Sequence, residues 1–508
     1  MLNLRKHQRE FLLLMSVERG AGQRIVCSVT PGGGKSALPL IAAKSLAEPG
    51  RYKIAWVTPR DSLRRQAEES FADPLLKQLT KHNSAIRICQ NADREDLSRG
   101  LRGFATTYQA ILADPQIYYR EFEKYLYILF LDEPHHIPNE PLNPWFYAIA
   151  PLVNLSRLSI LASGTLDRHD AKPVAFLPYT PADDGFGIDY HAENYHFIEY
   201  SRYDALAEGA IVPLKFRLFD GYVEYQNAGM PAHRSDTISQ GEPSVVMQHL
   251  NLMLQTDFAR EILGKAVEDW RKHRREVYRD AKLLIVGPDI KTSQEYASFL
   301  RKNYRDEKIL IATSDNSPAA MAAIKQFKTS RQHNILITVA MAYEGLDVKQ
   351  ITHVVCLTLI RSKPWIEQCL ARANRTAPGK LFGVIYAPDD VLFNAVKMAI
   401  EESQEKAVRI PDDEGNKKPR KKPEIAEADI IPAKSGINGD RQISTPSEKE
   451  SLSRKMIEDH VRRAARHFRV SPREINLKLC RLFQKRRSAM NLYELQKVID
   501  YLSSNYPV

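Results

Sequence analysis

Cysteine is scarce in this sequence. Five occur in 508 residues, at Cys27, Cys89, Cys356, Cys369 and Cys480. They show neither the paired framework of a small secreted domain nor the close spacing of a metal site, which points to a reducing, cytoplasmic setting. Long apolar runs are missing too. The longest, such as "YLYILFL" at 125–131, falls far short of the roughly 20 residues that a membrane span requires, so no membrane partner is expected. In "MLNLRKHQREFLLLM" charges interrupt the apolar stretch, which argues against a signal peptide. The 14 histidines, including the adjacent His135 and His136, show no ligand spacing. No nuclease, methyltransferase or metal cluster is visible. Acidic residues are outnumbered, leaving a formal charge of +11 that favours a polyanionic partner without identifying one.

What is present is ordinary in bulk. Hydrophobic residues make up 43% of the chain and charged ones 27%, as in a globular protein, and the length suits about three domains. The informative stretch is "VTPGGGKS" at 29–36, set between the apolar run "RIVCS" and the helical pattern "ALPLIAAKSLAE". Glycines allow successive backbone N–H groups to curl around an anion, and the following helix adds its positive end. This is the P-loop pattern, in which the lysine, Lys35, reaches the β- and γ-phosphates and the hydroxyl, Ser36, ligates Mg²⁺. Thr30, Pro31, Gly32, Gly33 and Gly34 form the cradle. Val29 stands where the first glycine of the general pattern would be.

A second piece lies at 125–136, "YLYILFLDEPHH", where an apolar strand ends in adjacent carboxylates. Asp132 is placed to hold the metal, and Glu133 to orient or deprotonate an attacking water. Between the two pieces come "KIAWVTP", "AIRICQ" and "GFATTYQAIL", and after them "LSILASGTL". Strands alternating with helices describe an α/β protein with a mostly parallel sheet, its functional loops gathered at the carboxyl ends of the strands.

The ordered series "TPGGGKS", "VTPR", "TTYQA", "LDEPHH" and "ASGTL" resembles the first RecA-like domain of a superfamily 2 helicase of the DExH (DEAD/DEAH-box) type. "KLLIVGPDIKTSQEYASFL" at 282–300 resembles the opening of the second RecA-like domain. "ILITVAMAYEGLDVKQITHVV" at 335–355 resembles motif V, and "IEQCLARANR" at 366–375 resembles motif VI with Ala371 in place of its usual glycine. The segment 197–225 resembles the connector and first strand by which DNA-acting phage and restriction-type helicases enter their second domain.

The resemblance implies two tandem RecA-like P-loop domains and the cofactors ATP and Mg²⁺. It implies that Gln8 of "LRKHQ" reads the adenine edge, a residue that could equally be an ordinary surface helix position. Gly345 and Asp347 would line the interdomain cleft. Gln368, Arg372 and Arg375 would face the γ-phosphate across it, the arginines stabilising transition-state charge. His135 and the segment Ser163–Thr165 would couple the ATP site to a nucleic-acid groove. Thr58 and Arg60, with Thr106 and Thr107, would touch the sugar–phosphate backbone, contacts that carry no base specificity. For Thr106 and Thr107, capping the next helix is the competing role.

By this reading the domains run 1–195, 196–408, a flexible linker at 409–450 broken by prolines and glycines, and a helical module at 451–508. That module carries 13 Lys or Arg against 5 Asp or Glu, most of the chain's positive surplus. It reads as about three helices that hold nucleic acid, or as a structural piece that docks on the motor or on a partner protein. The expected activity is an ATP-dependent helicase or translocase, with DNA favoured over RNA. The alternatives are an ATP-gated clamp and a motor that tracks duplex without separating it.

Overall fold

A computed structural model of the chain describes residues 4–16, 22–45, 52–73, 85–89, 96–166, 172–182, 185–225, 233–235, 237–239, 243–313, 318–339, 346–408, 446–468, 470–484, 490 and 492–506. The described residues fall into two compact units. The larger spans residues 1–216 and 265–385 with the helix that continues from 395. The smaller takes in 217–264, 386–394 and the C-terminal helices.

The described residues build two large sheets and two short strand pairs. The strands are β1 (Gln23–Val29), β2 (Tyr52–Thr58), β3 (Ile86–Ile88), β4 (Gly103–Thr107), β5 (Leu126–Asp132) and β6 (Leu158–Ser163), then a hairpin of β7 (Tyr179–Ala182) and β8 (Gly185–Ile188), then β9 (Tyr195–Tyr200). The first sheet has seven strands in the order β3-β4-β2-β5-β6-β1-β9. Further along come β10 (Leu214–Phe219), the pair β11 (Val223–Tyr225) and β12 (His233–Ser235), β13 (Lys282–Gly287), β14 (Ile309–Ala312), β15 (Ile335–Val339), β16 (Ile351–Cys356) and β17 (Gly383–Pro388). The second sheet has six strands in the order β10-β17-β16-β13-β15-β14. These are the tandem RecA-like sheets that the sequence implies.

Burial explains why the strand sequences are apolar on both faces. Ile25, Trp56, Ile128, Phe130 and Ile160 pack on one side of the first sheet with Phe11, Leu38 and Ile41. Val26, Val57, Leu129, Leu131 and Leu161 pack on the other with Tyr108, Tyr118 and Leu152. A parallel sheet covered by helices on both faces needs continuous apolar strands, which is what "YILFL" and "LSILA" supply.

Register positions the site. Ser28 of β1 pairs with Ser163 of β6, Asp132 of β5 with Ala162, and Thr58 of β2 with Thr107 of β4, all in parallel. The carboxyl ends of β1, β2, β4, β5 and β6 therefore come level at one edge, and residues from five separated motifs meet there. The register of β4 is tight, since a Cβ on Gly103 would lie 1.9 Å from the carbonyl oxygen of Ile54.

The first sheet continues past residue 195. Strand β9 lies parallel to β1, with Arg24 opposite Tyr195 and Val29 opposite Tyr200, so residues 197–200 belong to this sheet and the connector begins after them. The boundary expected at 195 falls on the first residue of β9, the strand that gives β1 its second neighbour. In the smaller unit, the helices Pro446–His467, Pro472–Phe483 and Leu492–Asn505 enclose a core of Ile457, Val461, Ile475, Leu479, Leu495, Val498 and Leu502. Three helices stand where about three are expected. Of the linker expected at 409–450, residues 409–445 lie outside the described residues and 446–450 open the first of these helices. No helix among the described residues is long and apolar enough to cross a membrane.

Candidate nucleotide site and interdomain cleft

The phosphate loop leaves β1 at Val29 and curls through two left-handed glycines, Gly32 at φ +87° and Gly34 at φ +91°. Gly33 N donates to Thr30 O at 2.8 Å. A Cβ on Gly33 would meet that same oxygen at 2.7 Å, so no other residue fits the turn. Lys35 and Ser36 then open a short 3-10 turn that feeds the helix Leu38–Ser45.

Lys35 lies between the two carboxylates that end β5. Its Nζ stands 2.8 Å from Asp132 Oδ1 and hydrogen-bonds Glu133 Oε1. Burial opposes the lysine's charge, but the two carboxylates override it and raise its pKa. Burial raises Asp132, with the charge of Glu133 adding to the effect against the pull of Lys35. Burial also works to raise Glu133, yet Lys35 and His135 hold that carboxyl well below the usual carboxylate range. Glu133 sits in left-handed backbone, φ +52° and ψ +56°, at the start of a single 3-10 turn. Such strain on a residue other than glycine gathers at functional sites.

The oxygens of Ser36 and Asp132 form a hard donor set of the kind Mg²⁺ takes when phosphate supplies the remaining ligands. Asp132 is 6% exposed, and Lys35 is the charge that meets its Oδ1. These residues fit the ion. The described residues hold no group of three or more His, Cys, Asp or Glu that could cage a metal unaided, and a site completed by phosphate needs none.

The segment after β6 closes on Glu133. Ser163 Oγ donates to Glu133 Oε2 at 2.8 Å and lies 2.9 Å from His135 Nδ1, while Gly164 N reaches Glu133 Oε2 at 3.4 Å. Ser163 Oγ also contacts Thr165 O. His135, Ser163 and Thr165 thus meet at one carboxylate.

Gln8 is buried. Its Nε2 donates to Gly34 O at 3.1 Å, and its Oε1 accepts from Arg5 N at 3.0 Å. That replaces the surface-helix alternative with a residue fixed on the phosphate loop. Motif VI forms the helix Lys363–Asn374 with Arg375 at its end. Arg372 is buried and donates to Leu346 O at 3.0 Å. Arg375 pairs with Asp347, and this cation keeps the Asp347 carboxyl low against the effect of burial. Gln368 is half-buried on the same helix. Gly345 lies outside the described residues.

The residues expected to touch nucleic acid divide. Thr58 and Thr106 are fully buried, the first donating to Arg60 O at 2.9 Å and the second 2.9 Å from the Tyr118 hydroxyl. Thr107 Oγ1 accepts from Ala110 N at 3.1 Å, the capping role. Arg60 stands at the start of the helix Asp61–Ala72.

Residues 1–162 match the family described as "Type III restriction enzyme, res subunit", and residues 265–377 match "Helicase conserved C-terminal domain". The chain belongs to the superfamily 2 helicases.

Among individual proteins, this helicase is 24% identical over 359 residues to an uncharacterized protein of Mycobacterium leprae (strain TN). The match covers 69% of this chain and 56% of that protein, so the chain spans a little over half the length of its relative. In fold it is similar to Mss116p, with its NTE and C-tail deleted, bound to ssRNA and AMP-PNP. The TM-score is 0.52 at 13% identity, over 99% of this chain and 86% of that one. The ATP-dependent Type ISP restriction-modification enzyme LlaBIII bound to DNA gives a TM-score of 0.46 at 14% identity, over 76% of this chain and 28% of that one.

Two residues of the helicase site escape the motif reading. Arg5 donates through Nη1 to Gly32 O at 3.1 Å, and Asn374 reaches the phosphate loop from motif VI at 3.5 Å. Both lie inside the quoted segments "LRKHQ" and "ARANR", where the neighbouring Gln8 and Arg375 draw the attention. Their proximity to the loop was the missing signal, and it spans 27 residues in one case and 343 in the other.

Proposed function

We propose that the chain is an ATP-driven motor on DNA. Supporting this most directly is the convergence of Lys35, Asp132, Glu133 and Ser163 at the carboxyl edge of the first sheet, where a P-loop faces an acidic strand end. In this reading Lys35 leaves the carboxylates for the β- and γ-phosphates of ATP, and Gln8 holds the loop from behind. Glu133 takes the proton of the attacking water, steadied by Ser163 and His135. Arg372 and Arg375 approach the γ-phosphate from the second domain. When bound through Ser36 and Asp132, Mg²⁺ would neutralise charge on the phosphate oxygens. Closure on ATP and release after hydrolysis would alter each domain's hold on a strand.

DNA is preferred because the matched family over residues 1–162 is that of a restriction subunit. The testing experiment is steady-state ATP hydrolysis without polymer and with single-stranded DNA, duplex DNA or single-stranded RNA. The expected result is strong stimulation by DNA. Stimulation by RNA alone would transfer the motor to an RNA track, and tight binding with no added turnover would make it a gated clamp. Strand displacement run beside triplex displacement separates unwinding from duplex tracking, since a pure translocase scores only in the second.

The C-terminal helices are assigned to nucleic-acid binding in a cytoplasmic setting. Arg462, Arg463, Lys478, Arg481 and Lys497 are exposed around their apolar core. Removing residues 409–508 is expected to weaken DNA affinity about tenfold at low salt and to flatten its salt dependence. Unchanged affinity in a folded truncation would instead favour a docking role, with a partner protein as the candidate ligand.

A further inference from the structure

Carbonyls along the phosphate loop are held from outside it or by its own turns. Gly33 N donates to Thr30 O, Arg5 Nη1 to Gly32 O, and Gln8 Nε2 to Gly34 O. The carbonyl of Pro31 is approached by Asn374 Nδ2 at 3.5 Å. The carbonyl and N–H of a peptide point in opposite directions. Fixing the oxygens of Pro31 and Gly34 therefore aims the N–H groups of Gly32 and Lys35 the other way, as an anion cradle needs.

Arg5 and Gln8 belong to the first domain. Asn374 belongs to the second, at the end of the motif VI helix. It is fully buried, and its Oδ1 has no hydrogen-bond partner among the described residues. That oxygen lies 3.0 Å from where a Cβ on Gly32 would sit, with Ile211 Cγ2 at 3.2 Å from the same point. The backbone holds the residue there, since Val212 N donates to Asn374 O at 2.7 Å and Ile211 bridges to Arg375. A buried carboxamide with one long contact and one unused acceptor is unfavourable, and its persistence against Gly32 calls for a use.

We infer that Asn374 is a positioning residue through which motif VI sets the shape of the phosphate loop. It acts on Pro31 and Gly32, not on the phosphate itself. This rests on the reading of the loop as a nucleotide site and adds its control by the second domain. Asn374 is bonded directly to Arg375, so loop shape and arginine placement are joined through one peptide.

The test uses the full chain with Asn374→Ala and Asn374→Asp. ADP affinity is measured by titration with a fluorescent ADP analogue, alongside KM and kcat for ATP and the melting temperature without nucleotide. Asn374→Ala is expected to weaken ADP about 5-fold, the effect of one modest hydrogen bond. KM rises in parallel and kcat moves less. Asn374→Asp keeps the shape but loses the donor and sets a carboxylate beside a carbonyl and the incoming phosphate. It is expected to weaken ADP more than about 10-fold.

A wild-type ADP affinity in folded Asn374→Ala, or an Asn374→Asp close to wild type, overturns the inference. Should Asn374→Ala melt too low to assay, Asn374→Asp decides alone, with near-wild-type affinity as the overturning result. A wild-type chain that binds no ADP would overturn the nucleotide reading and this inference together. That outcome is distinct from tight wild-type binding with indifferent variants.

Discussion

Glu133→Gln is expected to lower steady-state ATP hydrolysis about 1000-fold while nucleotide binding persists, within the range for removing a positioned general base. Glutamine keeps the size of the side chain and can still accept from Ser163 Oγ, which now lies 2.8 Å from Glu133 Oε2. What it loses is a proton acceptor. Nucleotide affinity should hold or rise, because the amide no longer competes as an anion for Lys35. Single-turnover hydrolysis with enzyme in excess over ATP reads the chemical step, and equilibrium binding of ADP reads the site. A loss of both together would mean that the carboxylate organises the loop and is not the base. A fall of less than about tenfold would mean that the proton leaves by another route.

Arg375→Ala is expected to cut polymer-stimulated kcat about 1000-fold, the scale on which an arginine supplied to a γ-phosphate acts. This guanidinium is paired with Asp347. Its removal therefore also leaves a carboxylate alone, and a second variant is needed. Asp347→Asn unpairs Arg375 without deleting it and should retain far more kcat than Arg375→Ala. Equal losses in both would assign the pair a structural role. Arg375→Lys should recover little, since a compact ammonium cannot reproduce the guanidinium fork. Arg372 is a poorer first target, because it is buried with its Nη1 on Leu346 O and its loss would disturb folding as well as chemistry.

Much of the site was legible because it is local. "TPGGGKS" needs its glycines for a turn set within a few residues, and "LFLDE" announces itself by ending an apolar strand in carboxylates. The sheet followed from the same pattern, since strands buried on both faces are apolar throughout. Strand β9 was harder. "YHFIEY" alternates as an edge strand does, and nothing local indicates that it pairs with β1 rather than opening the second domain. The hydroxyls of Thr58 and Thr106 also looked available in sequence. Their strand-end positions in fact place them against Arg60 O and the Tyr118 hydroxyl. Arg5 and Asn374 became visible only when distant segments met at Gly32.

The ammonium between Asp132 and Glu133 has a further consequence for timing. While Lys35 stays on Glu133, that carboxylate has little appetite for a proton, for the neighbouring cation stabilises its charged form. A phosphate that draws Lys35 away takes this stabilisation with it, and burial then acts on Glu133 with one fewer opponent. In the proposed motor the basicity of Glu133 would then rise as substrate arrives. Readiness for chemistry would be conferred by the same movement that seats the nucleotide.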